Sequence, residues 1–302
     1  MEQALQDGLE QRILQNALDR LSQKKLSWDE FNKKVDNLWL VSRLNATRGG
    51  RTLLHLAVLD EQMDIVQTLS SDPILKLRRD AFGLSPVDIA QLLHRREALR
   101  LLYRPQAQIE DVGPFPREFE VLAHPIFETK EGFEEVLAYG AKAKEEDKIP
   151  AEKIWMGIYF DKEIGRGSHP PLSIRYIDTE VGFGVFAEKK IPPCTYIGEY
   201  TGVVQERKSN QLKEKKHCLR YTLWEGKKNF TIDAEEKGNF TRFINHSSKP
   251  NLGLQAIYWR GIPRMILIAL REIDAGNQLT FDYGPIFWKH HSQTPVEFDD
   301  DH

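Results

Sequence analysis

A chain of 302 residues is long for one domain and comfortable for two. Hydrophobic residues make up 40% and charged residues 29%, which suits a protein with a real core. The net charge of −3 argues against a surface that attracts nucleic acid as a whole. Two cysteines, Cys194 and Cys218, exclude a disulfide scaffold and a four-cysteine zinc site, and read as reduced thiols in an intracellular compartment. The longest wholly apolar run, 265–270, is too short to cross a bilayer, so no membrane partner is expected. The acidic start Met1-Glu2-Gln3 lacks the apolar core of a secretory signal; a leaderless export route stays open.

Residues 1–48 read as helical. Leu5, Leu9, Ile13, Leu14, Ala17 and Leu21 recur at helical spacing, and Ser27 with Glu30 makes a capping box before Phe31, Val35, Leu38 and Leu40. An internal repeat follows in residues 49–104. Thr52-Leu53-Leu54-His55-Leu56-Ala57 recurs 33 residues later as Ser85-Pro86-Val87-Asp88-Ile89-Ala90. The period and the first copy resemble ankyrin repeats. The expected helix pairs are 53–59 with 63–69, and 86–93 with 97–103. Two repeats fall short of the roughly three that bury a core by themselves. The N-terminal helices, with the segment after 104 as a further candidate, are therefore expected to cap the stack, which should pack on the second half of the chain or bind a protein partner. His55 is read as making structural hydrogen bonds rather than as a metal ligand or base.

Residues 105–170 form a linker and a mixed lead-in. Pro105, Gly113, Pro114 and Pro116 mark the boundary, and a helix is expected over 131–148 with a solvated charge run at 142–148. Residues 154–160 read as a strand. From Leu172 the pattern is one of short strands broken by Gly and Pro: 174–177, 184–187, 195–200, 221–224, 230–233, 254–259 and 265–270. The tail, 289–302, holds His290, His291 and Asp299-Asp300-Asp301, and reads as a flexible acidic end rather than a metal site.

Four ordered motifs lie in this second half: Gly182-Phe183-Gly184, Ile197-Gly198-Glu199-Tyr200-Thr201-Gly202, Arg242-Phe243-Ile244-Asn245-His246-Ser247-Ser248-Lys249-Pro250-Asn251, and Leu279-Thr280-Phe281-Asp282-Tyr283-Gly284. Together they resemble a SET-domain protein (histone) lysine methyltransferase over about 172–288. The fold class is thus α+β in two parts: an N-terminal all-α ankyrin-like module and a C-terminal β-rich SET-like domain, 171–288. The resemblance implies a pseudoknot in which the Asn-His-Ser and Phe-Asp-Tyr segments thread past each other.

The resemblance also implies a chemistry. Methyl transfer from S-adenosylmethionine is an in-line displacement that needs a cofactor seat, a neutral amine and a dry channel, with no metal and no covalent intermediate. Tyr283 matches the catalytic tyrosine, and Tyr200 a tyrosine lining the lysine channel. Gly182, Phe183, Gly184, Arg242, Phe243, Asn245 and His246 match positions around the cofactor. His246 is read as a ligand-side residue, acting largely through its backbone; general base is the alternative. Tyr221 reads as a second wall or a cofactor contact. Phe281, two before Tyr283, lacks a hydroxyl that would hold a water, which implies more than one methyl group per lysine. Phe287 and Trp288 can cover the adenine ring or the channel mouth, or serve as core. Ser248 stands where many members carry Cys, and neither the segment before this domain nor the one after Tyr283 is rich in cysteine.

The expected substrate is a protein with a target lysine, a histone by analogy, which places the chain at chromatin in the nucleus, or in a host nucleus if it is a secreted bacterial effector. A non-histone target such as a ribosomal or DNA-packing protein, with a cytoplasmic site of action, and an ankyrin-based binding module with a silent SET-like domain both stay open. Residues 206–228 hold eight Lys or Arg against three Glu. They read either as a solvated loop or as a contact to nucleosomal DNA.

Overall fold

The structure, a computed structural model, describes residues 2–35, 37, 38, 41, 46, 47, 49–102, 115, 118–207, 217–222, 229–285 and 287. The chain divides into two compact units, Met1–Gln106 and Ala107–His302.

The first unit is helical. Helix α1 spans Glu2–Ser22 and α2 Trp28–Lys34. Ser27 caps α2: its hydroxyl accepts from Glu30 N, and the Glu30 carboxylate accepts from Ser27 N at 2.9 Å. The repeat folds as two helix pairs, α3 (Leu53–Leu59) with α4 (Met63–Leu69), and α6 (Pro86–Leu92) with α7 (Arg96–Leu102). Between them lies α5 (Pro73–Leu77), capped by Asp72, which sequence periodicity missed because five residues are too few to show a period.

The two copies start their helices alike. Thr52 and His55 close one capping box, and Ser85 and Asp88 the other, so an imidazole and a carboxylate 33 residues apart accept the same kind of N–H. His55 does one thing more. Its Nδ1 accepts from Thr52 N at 3.1 Å, so Nε2 carries the proton and donates to Leu84 O at 3.1 Å. This fastens α3 to the turn that leads into α6. Every residue of α3 is buried.

The second unit opens with strands β1 (Glu120–Val121) and β2 (Ile126–Phe127), then helices α8 (Lys130–Glu145), α9 (Ala151–Tyr159) and α10 (Asp161–Arg166). Helix α9 corrects the strand expected at 154–160. A short apolar run does not tell strand from buried helix. Pro150 at the N-cap and Glu152 in the first turn favour the helix, and packing decides the face. Gly157 lies so close to β11 (Leu252–Trp259) that a Cβ there would stand 1.9 Å from Tyr258 O. The bulky Trp155, Ile158 and Tyr159 consequently face outwards.

The remaining strands are β3 (Leu172–Asp178), β4 (Gly182–Ala187), β5 (Tyr196–Glu199), β6 (Val203–Glu206), β7 (Cys218–Tyr221), β8 (Phe230–Asp233), β9 (Lys237–Gly238), β10 (Asn245–His246), β12 (Ile262–Ala269) and β13 (Thr280–Phe281). Strand β7 ends at Tyr221, where the sequence pattern had a strand begin. The sheets run β10-β13-β11-β12-β5, β2-β6-β8-β7, β3-β4 and β1-β9. Strand β13 lies parallel to both β10 and β11, pairing Asn245 with Thr280, His246 with Phe281 and Leu252 with Phe281. The Asn-His-Ser and Phe-Asp-Tyr segments are thereby neighbours. Asn251 secures the junction: its amide donates to Gln278 O at 2.8 Å and accepts from Thr280 N at 2.9 Å. The core beneath holds Ile174, Val185, Ile197, Ile244, Leu267 and Phe281, and the half-buried Phe183, Phe243 and Tyr283 pack at its edge. Among the described residues no helix is long and apolar enough to cross a membrane.

Candidate active site

The β3–β4 hairpin turns on Asp178, whose carboxylate accepts from Glu180 N and Val181 N at 2.8 and 2.7 Å. It delivers Gly182 at φ +83, a left-handed conformation that disfavours any side chain. At Gly184 the reason for glycine is space. A Cβ would come within 2.7 Å of Ile177 Cδ1 and 2.9 Å of Gln278 Nε2. Asn245 reaches across and donates from Nδ2 to Phe183 O at 3.1 Å, joining the glycine loop to β10.

Before β10 comes a 3-10 turn, Phe240–Phe243, capped by Asn239. Asn239 accepts from Thr241 N at 3.0 Å and donates to Glu199 O at 2.9 Å, so the end of β5 and this turn are locked together. The turn places Arg242 against Phe119 and Phe243, with its guanidinium carbon 4.8 and 5.1 Å from the two ring centres. Phe243 meets Phe183 edge-on at 6.0 Å.

Tyr283 sits where β10 and β13 meet. Its hydroxyl donates to Ile244 O at 2.9 Å and its backbone N–H donates to His246 Nδ1 at 3.2 Å. Its ring packs on Phe281 at 4.9 Å and on Phe287 at 4.7 Å. Burial pushes the Tyr283 phenol above its ordinary range. Tyr200 is buried beside it and donates its hydroxyl to His217 O at 3.0 Å. Burial, then the nearness of Tyr283, raises its phenol as well. Both protons are committed to carbonyls, which leaves the lone pairs of each phenolic oxygen as acceptors. His246 Nδ1 accepts from Tyr283 N and lies 3.5 Å from Asp282 Oδ1; the ring orients the Tyr283 backbone.

Gly182, Phe183, Gly184, Arg242, Phe243, Asn245, His246, Tyr200, Phe281, Tyr283 and Phe287 thus belong to one connected region. Tyr221 faces elsewhere. It donates to Pro263 O at 2.7 Å, meets Phe127 edge-on, and has Arg264 and Glu199 as its charged neighbours. Trp288, residues 208–216 and 223–228, and the tail with His290 and His291 lie outside the described residues.

Sequence reasoning missed the buried ion pair behind the site. Arg264 grips Glu199 through Nε and Nη2, stacks on Trp259 at 4.4 Å, and both partners are almost wholly shielded from solvent. Burial alone would lower the Arg264 guanidinium; the Glu199 carboxylate more than offsets this and holds it above its usual value. The available signal was a charge inside the otherwise apolar strand 262–269.

Comparison with known proteins matches the sequence of this region to a family. Residues 182–284 match the SET domain. Histone-lysine N-methyltransferase ASHR3 of Arabidopsis thaliana is 40% identical over 115 residues, 36% of this chain and 23% of that protein. Histone-lysine N-methyltransferase EHMT1 of Homo sapiens is 34% identical over 118 residues, 37% of this chain and 9% of its own. Histone-lysine N-methyltransferase SUV39H2 of Xenopus tropicalis is 32% identical over 132 residues, 41% of this chain and 32% of its own. The chain therefore spans less than a third of the length of these relatives. All four motifs fall within or around the SET match, and the helical first unit lies outside it.

The chemistry of the region suits a small charged ligand with several acceptor atoms. Gly182, with open space where a Cβ would stand, leaves backbone accessible at the loop, while Gly184 is packed beneath it. Arg242 Nε and Gln278 Nε2 are buried donors with no hydrogen-bond partner among the described residues. Burial pulls the Arg242 guanidinium below its usual value, while Glu235, Tyr200 and Asp233 work the other way.

Proposed function

We propose that the chain is an S-adenosylmethionine-dependent protein-lysine N-methyltransferase whose substrate is a histone. The observation that carries this reading is the convergence, inside the SET match, of Tyr283 and Tyr200 with the loop Gly182-Phe183-Gly184 and Asn245. The cofactor, when bound, supplies an electrophilic methyl group on a sulfonium. Gly182, Phe183, Gly184, Arg242, Phe243, Asn245 and His246 are the residues that would hold it. A free lysine has a pKa near 10.4 and arrives charged. It loses its proton to solvent, and Tyr283 and Tyr200 then align the neutral amine through their phenolic oxygens. The raised phenols keep their protons at neutral pH, so Tyr283 orients the amine rather than acting as a base.

In this reading β10 and β13 form the pseudoknot, and the paired helices of the first unit are ankyrin-like repeats that bind a protein partner. Phe281 leaves room for an amine that already carries a methyl group, so the product goes beyond monomethyl-lysine. Incubation with labelled S-adenosylmethionine, core histones and a set of non-histone proteins tests the proposal. Label in histone lysines supports it. Label confined to non-histone proteins removes the histone, and label in no protein removes the activity.

A further inference from the structure

The SET match begins at residue 182, yet the wall around Arg242 is finished by a segment some sixty residues earlier. Strand β1 lies parallel to β9, just ahead of the turn that carries Arg242. Glu120 N donates to Glu236 O at 3.0 Å, and Glu120 and Lys237 form an ion pair at 3.0 Å. Thr201 Oγ1 donates to Leu122 O at 3.3 Å, which ties the far end of the segment to the Tyr200 motif. These bonds set Phe119 against Gly238. A Cβ at Gly238 would come within 2.9 Å of Thr201 O, which holds the position to glycine, and the Phe119 ring packs closely beside it, with Cζ 3.3 Å from that point.

The ring then does specific things. Phe119 stacks on Phe115 at 5.6 Å with the planes 4° apart, and the Arg242 guanidinium lies over its face. Phe243 takes the same guanidinium from its own side, and Phe115, Phe119, Phe183 and Phe243 are all half-buried. Two rings fix a planar cation whose Nε–H has no protein acceptor among the described residues, at the edge of the glycine loop.

We propose that the segment 118–122 is part of the cofactor seat, and that Phe119 is a positioning residue that holds Arg242 ready to donate its Nε–H to an acceptor oxygen of the cofactor. The oxygen best suited is a carboxylate, since a charge-assisted bond to guanidinium is the stronger kind. The inference rests on the methyltransferase reading, and it extends the functional unit to residues that no SET motif includes. Phe119 touches no reacting atom in this scheme; it acts through Arg242.

The test is isothermal titration of S-adenosylhomocysteine into the full-length protein and into Phe119→Leu, Phe119→Ala and Phe119→Tyr. Leucine keeps the apolar bulk and loses the ring face; tyrosine keeps the ring face. The expected result is an affinity about tenfold weaker for the leucine and alanine variants and near-native for tyrosine. The melting midpoint of Phe119→Leu without ligand should stay at the unaltered value. A residue that only fills space would lower the midpoint and leave the Kd of the folded protein alone. Unchanged Kd in Phe119→Leu overturns this inference and leaves the methyltransferase reading standing. No binding by the unaltered protein overturns that reading and this inference with it.

Discussion

At the scale of single residues, the proposed methyl transfer turns on Tyr283. Its hydroxyl is fixed by Ile244 O and its backbone by His246, so the oxygen is placed rather than free to swing. Removing that oxygen in Tyr283→Phe leaves the packing on Phe281 and Phe287 intact and takes away the acceptor proposed to align the amine. A loss of roughly 100-fold in turnover is expected, with cofactor affinity unchanged. The pH profile gives a separate check. The target lysine reacts only when neutral, so the rate should climb from pH 7 to 9 towards the lysine pKa. Burial raises both phenols above 10, so no tyrosine ionisation should bend that limb below pH 10. A plateau set by a group titrating near pH 8 would point to a protein base instead. If, as proposed, Phe281 sets how many methyl groups fit, Phe281→Tyr should shift the product towards monomethyl-lysine, and mass spectrometry reads the ratio directly.

Among the elements, two buried contacts make quantitative demands. Burial lowers the His55 pKa to about 4 from 6.5. The unfolded chain therefore takes up the proton first as pH falls. The stability that neutral His55 contributes is whole above about pH 6.5 and drains as pH drops from there towards 4. The shift corresponds to about 3 kcal/mol, so the melting midpoint of the first unit should fall over that window. In His55→Gln, which cannot titrate, the fall should flatten; an equal fall in both proteins would assign it to other groups. Gly157 makes the second demand. A methyl group 1.9 Å from Tyr258 O must push α9 off β11, so Gly157→Ala should destabilise by about 1–3 kcal/mol. Chemical denaturation measures it, and a neutral result would mean that α9 is not seated on Tyr258 in solution.

The same elements show what the sequence could and could not tell. The 33-residue spacing located α3, α4, α6 and α7 to within a residue or so, because a cap followed by an apolar run is a local signal. The sequence pattern takes helix α9 for a strand because its apolar run is short, and the local signals Pro150 and Glu152 at its start outweigh that pattern. The motif residues that surround Tyr283 were legible because each motif is contiguous. Phe119 and Arg264 stand outside those motifs. Their partners lie far off in sequence, and nothing in a linear pattern announces a ring against an arginine or an ion pair buried between two strands.

At the scale of the whole molecule, the two units pose separate questions. The second unit holds the SET match and the residues assigned to chemistry. If the basic residues within 206–228 meet DNA beside a histone tail, activity on nucleosomes should fall more steeply with salt than activity on free histone peptide. Identical slopes would remove DNA from the scheme. Methyl transfer to a histone lysine with the aid of Tyr283 is decided by mass spectrometry of core histones after incubation with S-adenosylmethionine and either the unaltered protein or Tyr283→Phe. Methyl-lysine, beyond the monomethyl form, is expected with the first protein and about one-hundredth as much product with the second. Equal methylation by both proteins, or none by the unaltered one, would contradict it.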